Sequence, residues 1–412
     1  MKKFSNLFVM ALLTVGMGLT SCEDILGHWE KPTPAPTPTP TPASNPMLSV
    51  PLTLEAKTAG AKVTFTIQAM IATNPVEYST YNADGTVKTD WTTYTSDTEI
   101  TLTNVGDYIQ FRGSNAAYSG YSISTISCPS GDCFVYGNIM SLINKDNFAT
   151  NVELTGDDAF HSLFLNNANL YIHDTKELLL PATTLTKSCY HNMFDGCSNL
   201  TKAPALPATT LANDCYANMF NGCTRLTAAP ELPAITLAND CYSHMFSGCT
   251  YLTTAPALPA TTLANNCYYH MFDGCSNLTT APALPATTLV ESCYSSMFNG
   301  CTGLTTAPAL PATTLALECY ANMFNGCTSL TETPHLAVET SALAQSCYAG
   351  MFKGCTGLTK AYVKAAYTTG NNECGDMFKD CTNSTTSTFY SADAANYKTA
   401  FSLSNWQAAA YE

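Results

Sequence analysis

A short repeat with a period of 26, counted from Cys189 to Cys215, fills most of the second half of this chain and limits its fold more than any other feature. The string Cys-Tyr-x-x-Met-Phe-x-Gly-Cys-x-x-Leu-Thr recurs at constant spacing, and periods of about 20–50 residues are typical of stacked units. One such unit cannot bury its hydrophobic face alone, so we expect a leucine-rich-repeat array over residues 189–381. The first cysteines of the regular copies are Cys189, Cys215, Cys241, Cys267, Cys293 and Cys319, and looser copies begin at Cys347 and Cys374.

A single unit indicates the local structure. Asp214 has the position of a helix N-cap, residues 215–221 would form two helical turns, and Gly222 would end them. Pro230 lacks an amide hydrogen, so the strand of each unit should be very short. We therefore predict an α+β solenoid with one short strand and one short helix per repeat. The same cap column holds Ser188, Asp240, Asn266, Ser292 and Ser346, and Leu226, Leu232 and Leu237 are expected on the non-helical side of the core.

Both ends of the array need a cap, because a terminal unit has no neighbour on one side. Residues 159–188 form a copy without cysteines, in which Phe160, Leu163, Phe164 and Leu170 fit the repeated columns. We expect residues 136–188 to be a connector and N-terminal capping repeat. Residues 382–412, with an amphipathic run at 392–406, are expected to cap the other end.

Sixteen of the 19 cysteines belong to the repeats. Two cysteines of one unit would lie about 12 Å apart along a helix, which is too far for a disulfide. Helices of neighbouring units would be separated by about 8–10 Å. The first cysteine of each unit should therefore stay free, whereas pairing across units stays open for the second, which lies past the glycine. We favour buried thiols that act as small core residues, and we expect no catalytic or metal-binding role.

Residues 47–135 alternate between apolar and polar positions in the manner of short strands, which predicts a small immunoglobulin-like β-sandwich. Cys128 and Cys133 flank a tight turn and are a candidate disulfide in an oxidising compartment. Trp91 and Tyr94 have two open interpretations. They form either an aromatic platform for sugars or, as we favour, packing contacts in the core or at its edge.

The start of the chain has the pattern of an exported lipoprotein. Two lysines, an apolar run and Leu-Thr-Ser-Cys predict a signal peptide at residues 1–21 and lipidation of Cys22. The apolar run is shorter than the roughly 20 residues of a membrane-spanning helix. Residues 22–46, rich in proline and threonine, would form a semi-rigid stalk. We expect attachment to the outer membrane through the lipid alone, with exposure at the cell surface.

Charge and motifs exclude several functions. The chain has 17 basic and 31 acidic residues, so it lacks the excess of positive charge that binding to the phosphates of nucleic acid requires. The chain has no metalloprotease, nucleophile-elbow, P-loop or dinucleotide-binding string, so we predict neither catalysis nor a cofactor. His244 and His270 share a column in successive repeats, but the expected separation of helices is too wide for a shared metal ion.

The repeated columns Met-Phe-x-Gly-Cys-x-x-Leu-Thr and Leu-Pro-x-x-x-x-Leu resemble the BspA-like leucine-rich repeats of surface lipoproteins in the Bacteroides group. The repeat here is longer than in the commonest members. The resemblance implies an extracellular, non-catalytic protein that binds host matrix proteins or other cells through its repeats. The alternative is a glycan-binding surface lipoprotein for nutrient capture, using the β-sandwich.

Overall fold

The computed structural model describes residues 45–120, 122–368, 370–382 and 387–411. Asn45–Glu412 forms one compact unit, in which strands and stacked turns predominate and α-helix is scarce. Among the described residues no helix has the length and apolar character needed to cross a membrane. Cys22 and the predicted signal peptide lie outside the described part, as does most of the predicted stalk.

The described chain up to Asn138 contains eight strands. They are β1 (Leu52–Ala56), β2 (Ala61–Thr66), β3 (Glu77–Tyr81), β4 (Val87–Thr93), β5 (Ile100–Leu102), β6 (Tyr108–Arg112), β7 (Thr125–Ser130) and β8 (Cys133–Asn138). Short 3₁₀ turns at Pro46–Ser49 and Ile139–Leu142 flank this set.

These strands form two antiparallel groups that share a core. One has the order β8-β1-β6-β3-β4 and the other has the order β5-β2-β7. Alternate side chains of β2 are fully buried, as the period of a half-buried strand requires. Phe65 of β2 meets Phe111 of β6 edge to face, with ring centroids 5.5 Å apart, so the two groups pack against each other through aromatic rings.

The repeats begin directly on this β region. Strands β9 (Leu170–Ile172) and β10 (Leu178–Leu179) both pair in parallel with β8. The copy without cysteines supplies β9, and its four expected core residues, from Phe160 to Leu170, are fully buried. Phe160 and Phe164 stack on Tyr190 and Phe194 of the next unit, while the role of this copy as a cap stays a prediction.

The prediction of a short helix in each repeat is wrong. Residues 214–222 form consecutive turns, in which Cys215, Ala217, Met219 and Asn221 donate amide bonds of 3.1–3.3 Å to the carbonyl three residues earlier. The intervening amides, at 214, 216, 218, 220 and 222, donate instead to carbonyls of the next repeat at 2.8–3.1 Å. An α-helix would direct every amide to the carbonyl four residues earlier. About half of the amides here are used to join units, so we call this segment of each repeat the turn ladder.

Left-handed residues every fourth position produce this geometry. Asp214, Asn218 and Gly222 have φ values of 57°, 55° and 67°, and the corresponding positions of the other units repeat the pattern. A right-handed helix cannot pass through such residues. The column that we assigned to N-caps is therefore a left-handed column, which Asp, Asn and Ser fill because short polar side chains tolerate or locally support such turns.

Aromatic rings stack along the interior of the array. A tyrosine column beginning at Phe160 and Tyr190 has centroid spacings of 5.6–6.1 Å, and a phenylalanine column from Phe164 to Phe378 has spacings of 5.3–5.7 Å. Both columns are buried. The rings of successive repeats are therefore somewhat farther apart than the roughly 4.8 Å that separates hydrogen-bonded strands.

The opposite side of each repeat is extended, and its pairing is brief, as predicted. Isolated parallel bridges join equivalent residues of neighbouring repeats, such as Thr236 with Thr262 and Thr288 with Thr314. Regular pairing appears at the C-terminal end, where four parallel strands lie in sequence order. They are β11 (Glu332–Leu336), β12 (Lys360–Val363), β13 (Ser387–Tyr390) and β14 (Trp406–Ala409). Helix α1 (Ala394–Ala400) connects the last two and buries Tyr397 against Phe389.

Candidate binding surfaces

The extended side of the repeats forms an apolar surface that we call the proline face. It consists of five Ala-Pro-x-Leu-Pro-Ala segments, at residues 203–208, 229–234, 255–260, 281–286 and 307–312. Burial alternates along each one: Leu206 is buried, while Ala205 and Pro207 are exposed. The exposed positions are alanine or proline in four of the five segments, and Glu231 is the exception. Proline has no amide hydrogen, so this surface is poor in hydrogen-bond donors.

Two cavities open on the proline face. The larger has a volume of about 590 Å³ and lies where β9 and β10 meet the segments at 203–207 and 230–233. The smaller, of about 280 Å³, is lined only by alanine, leucine and proline between residues 255 and 285. The larger is called the N-terminal cavity below. Sequence reasoning missed it, because its walls come from the copy without cysteines and from two later repeats.

The floor of the N-terminal cavity is apolar and its rim is charged. Ile172, Leu178, Pro204, Leu206 and Pro230 are among its lining residues. The charged lining groups are Asp174, Glu177, Lys202 and Glu231, with His173 beside them.

The turn ladder presents a polar surface on another side of the repeats. A depression of about 500 Å³ is lined there mostly by Ser, Asn and Ala side chains between residues 269 and 372. His244 and His270 stack with ring centroids 4.7 Å apart, and His270 Nδ1 lies 2.8 Å from Asp273 Oδ2. The predicted separation of about 8–10 Å for this column was wrong, because it assumed helices. Burial and the neighbouring His270 ring lower the pKa of His244, so the His244 side chain favours the neutral state.

No metal site accompanies these histidines in the described part of the chain, which contains no group of three or more His, Cys, Asp or Glu residues placed to hold an ion. The repeat cysteines likewise belong to no such group among the residues described. Every one of them is a buried free thiol. Burial raises the pKa of the thiols, for example that of Cys267 to about 12, so the nucleophilic thiolate is suppressed at neutral pH.

The second cysteine of each repeat has a structural role that the sequence analysis did not identify. Cys249 Sγ donates to the Phe220 carbonyl of the preceding unit at 3.2 Å, and Cys275 Sγ bonds the Phe246 carbonyl at 3.1 Å. The same bond recurs along the array at 2.8–3.2 Å. Cysteine at this position is therefore both a small core residue and a hydrogen-bond donor between units.

Cys128 and Cys133 lie at the junction of the two antiparallel groups, in β7 and β8. Both are buried free thiols, and a hydrogen bond from one to the other, together with burial, raises the pKa of Cys133 far above its usual value. Cys128 Sγ also lies 3.8 Å from Asn167 Nδ2 of the copy without cysteines. The disulfide between them stays a prediction.

Trp91 and Tyr94 do not form a shared surface. Tyr94 is only 4% exposed, its hydroxyl accepts from the Phe65 amide at 2.8 Å, and its ring packs edge to face on Phe111. Trp91 is partly exposed, with the Arg112 guanidinium 4.0 Å from its ring centroid. Tyr94 is thus a core residue, as the favoured interpretation expected, and its ring has no face available to a sugar.

No protein-family model matches the sequence. A comparison with curated proteins also finds no match.

Proposed function

We propose that the chain is a non-catalytic, cell-surface lipoprotein of the BspA-like type, whose leucine-rich-repeat solenoid binds proteins and serves adhesion. The observation that carries the proposal is the proline face. Contiguous apolar surface that persists on a folded protein is typical of an interaction site. Here it is repeated five times in register and includes two cavities.

The chemistry of this face favours a protein ligand. Exposed alanine and proline side chains offer contact area with almost no side-chain entropy to lose on binding. The spacing of roughly 6 Å between units would let an extended partner contact several segments at once. Several weak contacts made by one partner give a higher overall affinity than any one of them alone.

The cellular location in this proposal depends on the first 46 residues of the chain. Residues 1–21 would be the signal peptide, Cys22 would carry the lipid, and the stalk would hold an immunoglobulin-like β-sandwich and the solenoid away from the outer membrane. Glycan capture through Trp91 and Tyr94 is not favoured, because Tyr94 is buried.

The test is binding of residues 45–412 to an array of extracellular matrix proteins and glycans. The double variant Ala257→Glu/Ala283→Glu places two charges on the proline face, and Thr302→Glu/Ser329→Glu places two on exposed positions elsewhere. We expect protein binding that the first variant abolishes and the second preserves. Binding to glycans alone, or equal binding by both variants, would contradict a protein-binding proline face.

The location is tested separately on intact cells. External protease should remove the folded part of the chain from cells while a periplasmic marker stays intact. Cys22→Ala should abolish incorporation of a labelled fatty acid. Protection from protease on intact cells would refute exposure at the surface.

A further inference from the structure

The N-terminal cavity differs from the rest of the proline face in charge. Glu231 occupies the column that holds alanine at 205, 257, 283 and 309, so an acidic group replaces a methyl group only beside this cavity. Its carboxylate is exposed and has no hydrogen-bond or ion-pair partner among the described residues. The smaller cavity farther along the face has no charged lining residue.

The rim carries more negative than positive charge. Asp174, Glu177 and Glu231 are acidic, and Lys202 is the one basic lining residue that the structure describes, with its Nζ 3.5 Å from Asp174 Oδ1. Glu177 accepts from the neutral Asn45 amide at 2.7 Å and so keeps its charge unbalanced.

The nearby histidine does not offset this excess. His173 Nδ1 accepts from the backbone amides of Thr175 and Lys176, both at 3.1 Å, so that nitrogen carries no proton. Lys176 itself points toward the β region, where its ammonium bonds Glu55 and lies 4.4 Å from the ring centroid of Tyr136. Its charge is therefore already balanced by a carboxylate outside the cavity.

The shape of the cavity suits a side chain rather than a small polar solute. Its floor is formed by aliphatic and proline side chains, and its volume of about 590 Å³ exceeds that of any single residue. Its lining includes the first two segments of the proline face, so an extended backbone that crosses the cavity can continue onto the alanine and proline side chains of the later repeats.

We propose that the N-terminal cavity binds an extended, cationic peptide segment of a partner protein. An apolar side chain of the segment enters the cavity, and a flanking lysine or arginine pairs with Glu231 and with the carboxylates of Asp174 and Glu177. This inference rests on the proposed protein-binding function and adds the chemistry of the partner. Opposite charge across an exposed rim selects the partner and speeds the encounter more than it adds affinity.

The test uses a fluorescent peptide, Gly-Lys-Pro-Leu-Lys-Pro-Leu-Gly, and two analogues in which both lysines are glutamine or glutamate. Binding to residues 45–412 is measured by anisotropy. We expect the lysine peptide to bind best and the glutamate peptide worst. The preference should shrink between about 20 mM and about 300 mM NaCl, because exposed charges are screened over a shorter distance at higher salt.

The decisive variant is Glu231→Ala, which restores the residue of the other four segments and should not disturb folding. It should weaken binding of the lysine peptide by about two- to fivefold, the range of a single exposed ion pair. Glu291→Ala removes a carboxylate that is also exposed but lies outside the cavity, and it should leave affinity unchanged. Equal affinity for all three peptides, or equal effects of the two variants, would overturn the proposal.

The outcomes separate this inference from the proposed function. If matrix proteins bind the proline face while the lysine peptide shows no preference, the cationic partner is wrong and protein binding stands. If the peptide binds in a Glu231-dependent manner while no protein on the array is captured, the site is supported and adhesion to matrix is not.

Discussion

Substitutions at Asn218 distinguish the turn ladder from a helix, because the two structures predict opposite orders of stability. Asn218 lies in the middle of the segment that was predicted to be helical and has a φ of 55°. The same column holds Gly350, with a φ of 63°, so glycine is accepted at this position of the repeat. The informative pair is Asn218→Ala and Asn218→Gly.

The magnitude follows from the backbone. In a helix interior, alanine is favoured over glycine by about 0.8–1.0 kcal/mol. In a left-handed conformation, a residue with a Cβ costs about 1–2 kcal/mol relative to glycine. Asn218 Nδ2 also lies 3.4 Å from His191 Nε2, a half-buried contact that both variants lose and that is worth about 0.5 kcal/mol. We expect Asn218→Ala to lower the free energy of unfolding by about 1–2 kcal/mol, with Asn218→Gly within about 0.5 kcal/mol of the parent protein.

The assay is urea unfolding of residues 45–412, followed by far-ultraviolet circular dichroism. Asn396 in α1 supplies a matched control, since it is an exposed asparagine in a true helix. There Asn396→Ala should be more stable than Asn396→Gly. If Asn218 shows the same order as Asn396, the turn ladder is refuted and the helix is restored.

Three further predictions use the same unfolding assay. Tyr294→Phe should raise the free energy of unfolding by about 1 kcal/mol, because the hydroxyl of Tyr294 is buried without a hydrogen-bond partner; a loss of stability would contradict this. Cys249→Ala should lower the free energy of unfolding by about 1–2 kcal/mol, and Cys249→Ser should lower it less, because serine retains a donor for the Phe220 carbonyl. Equal losses in the two variants would show that the 3.2 Å hydrogen bond contributes nothing to stability. The pKa of Glu77 is held below 4.5, chiefly by the hydrogen bond from Lys145. The parent protein should therefore have a higher free energy of unfolding than Glu77→Gln, with the full difference present above about pH 4.5. The difference should fade as the pH falls through the lower pKa of Glu77 in the folded state. A difference that does not depend on pH would contradict this linkage.

The sequence alone predicted the features of the fold that depend on the repeat period and on the pattern of polar and apolar residues. The constant spacing of the repeats, burial of Leu226 and Leu232, and the brief pairing imposed by Pro230 all follow from residue types in fixed columns. Burial of the repeat thiols was also predicted, although the argument used helix geometry that the structure does not have.

The helix was mispredicted because two structures share one residue pattern. Asp214, Asn218 and Gly222 are spaced by four, which resembles one face of a helix, and Asp and Asn serve equally as N-caps and as left-handed turn residues. The distinguishing signal was present: a column of Asn, His, Ser and Gly in the middle of a supposed helix has poor helix propensity. The N-terminal cavity had no such signal, because its walls meet only when β9 and β10 pair with β8.

The alternating amides of the turn ladder also determine how the molecule would respond to force. Five amides of each ladder segment reach the next unit side by side, so a pull along the stack stretches all five together. Separation then requires their simultaneous rupture. A pull on one chain end acts differently, since it detaches the outermost unit one bond at a time and releases one full repeat of slack chain before the next unit is loaded. The array would thus yield in discrete steps under tension, lengthening instead of failing at once.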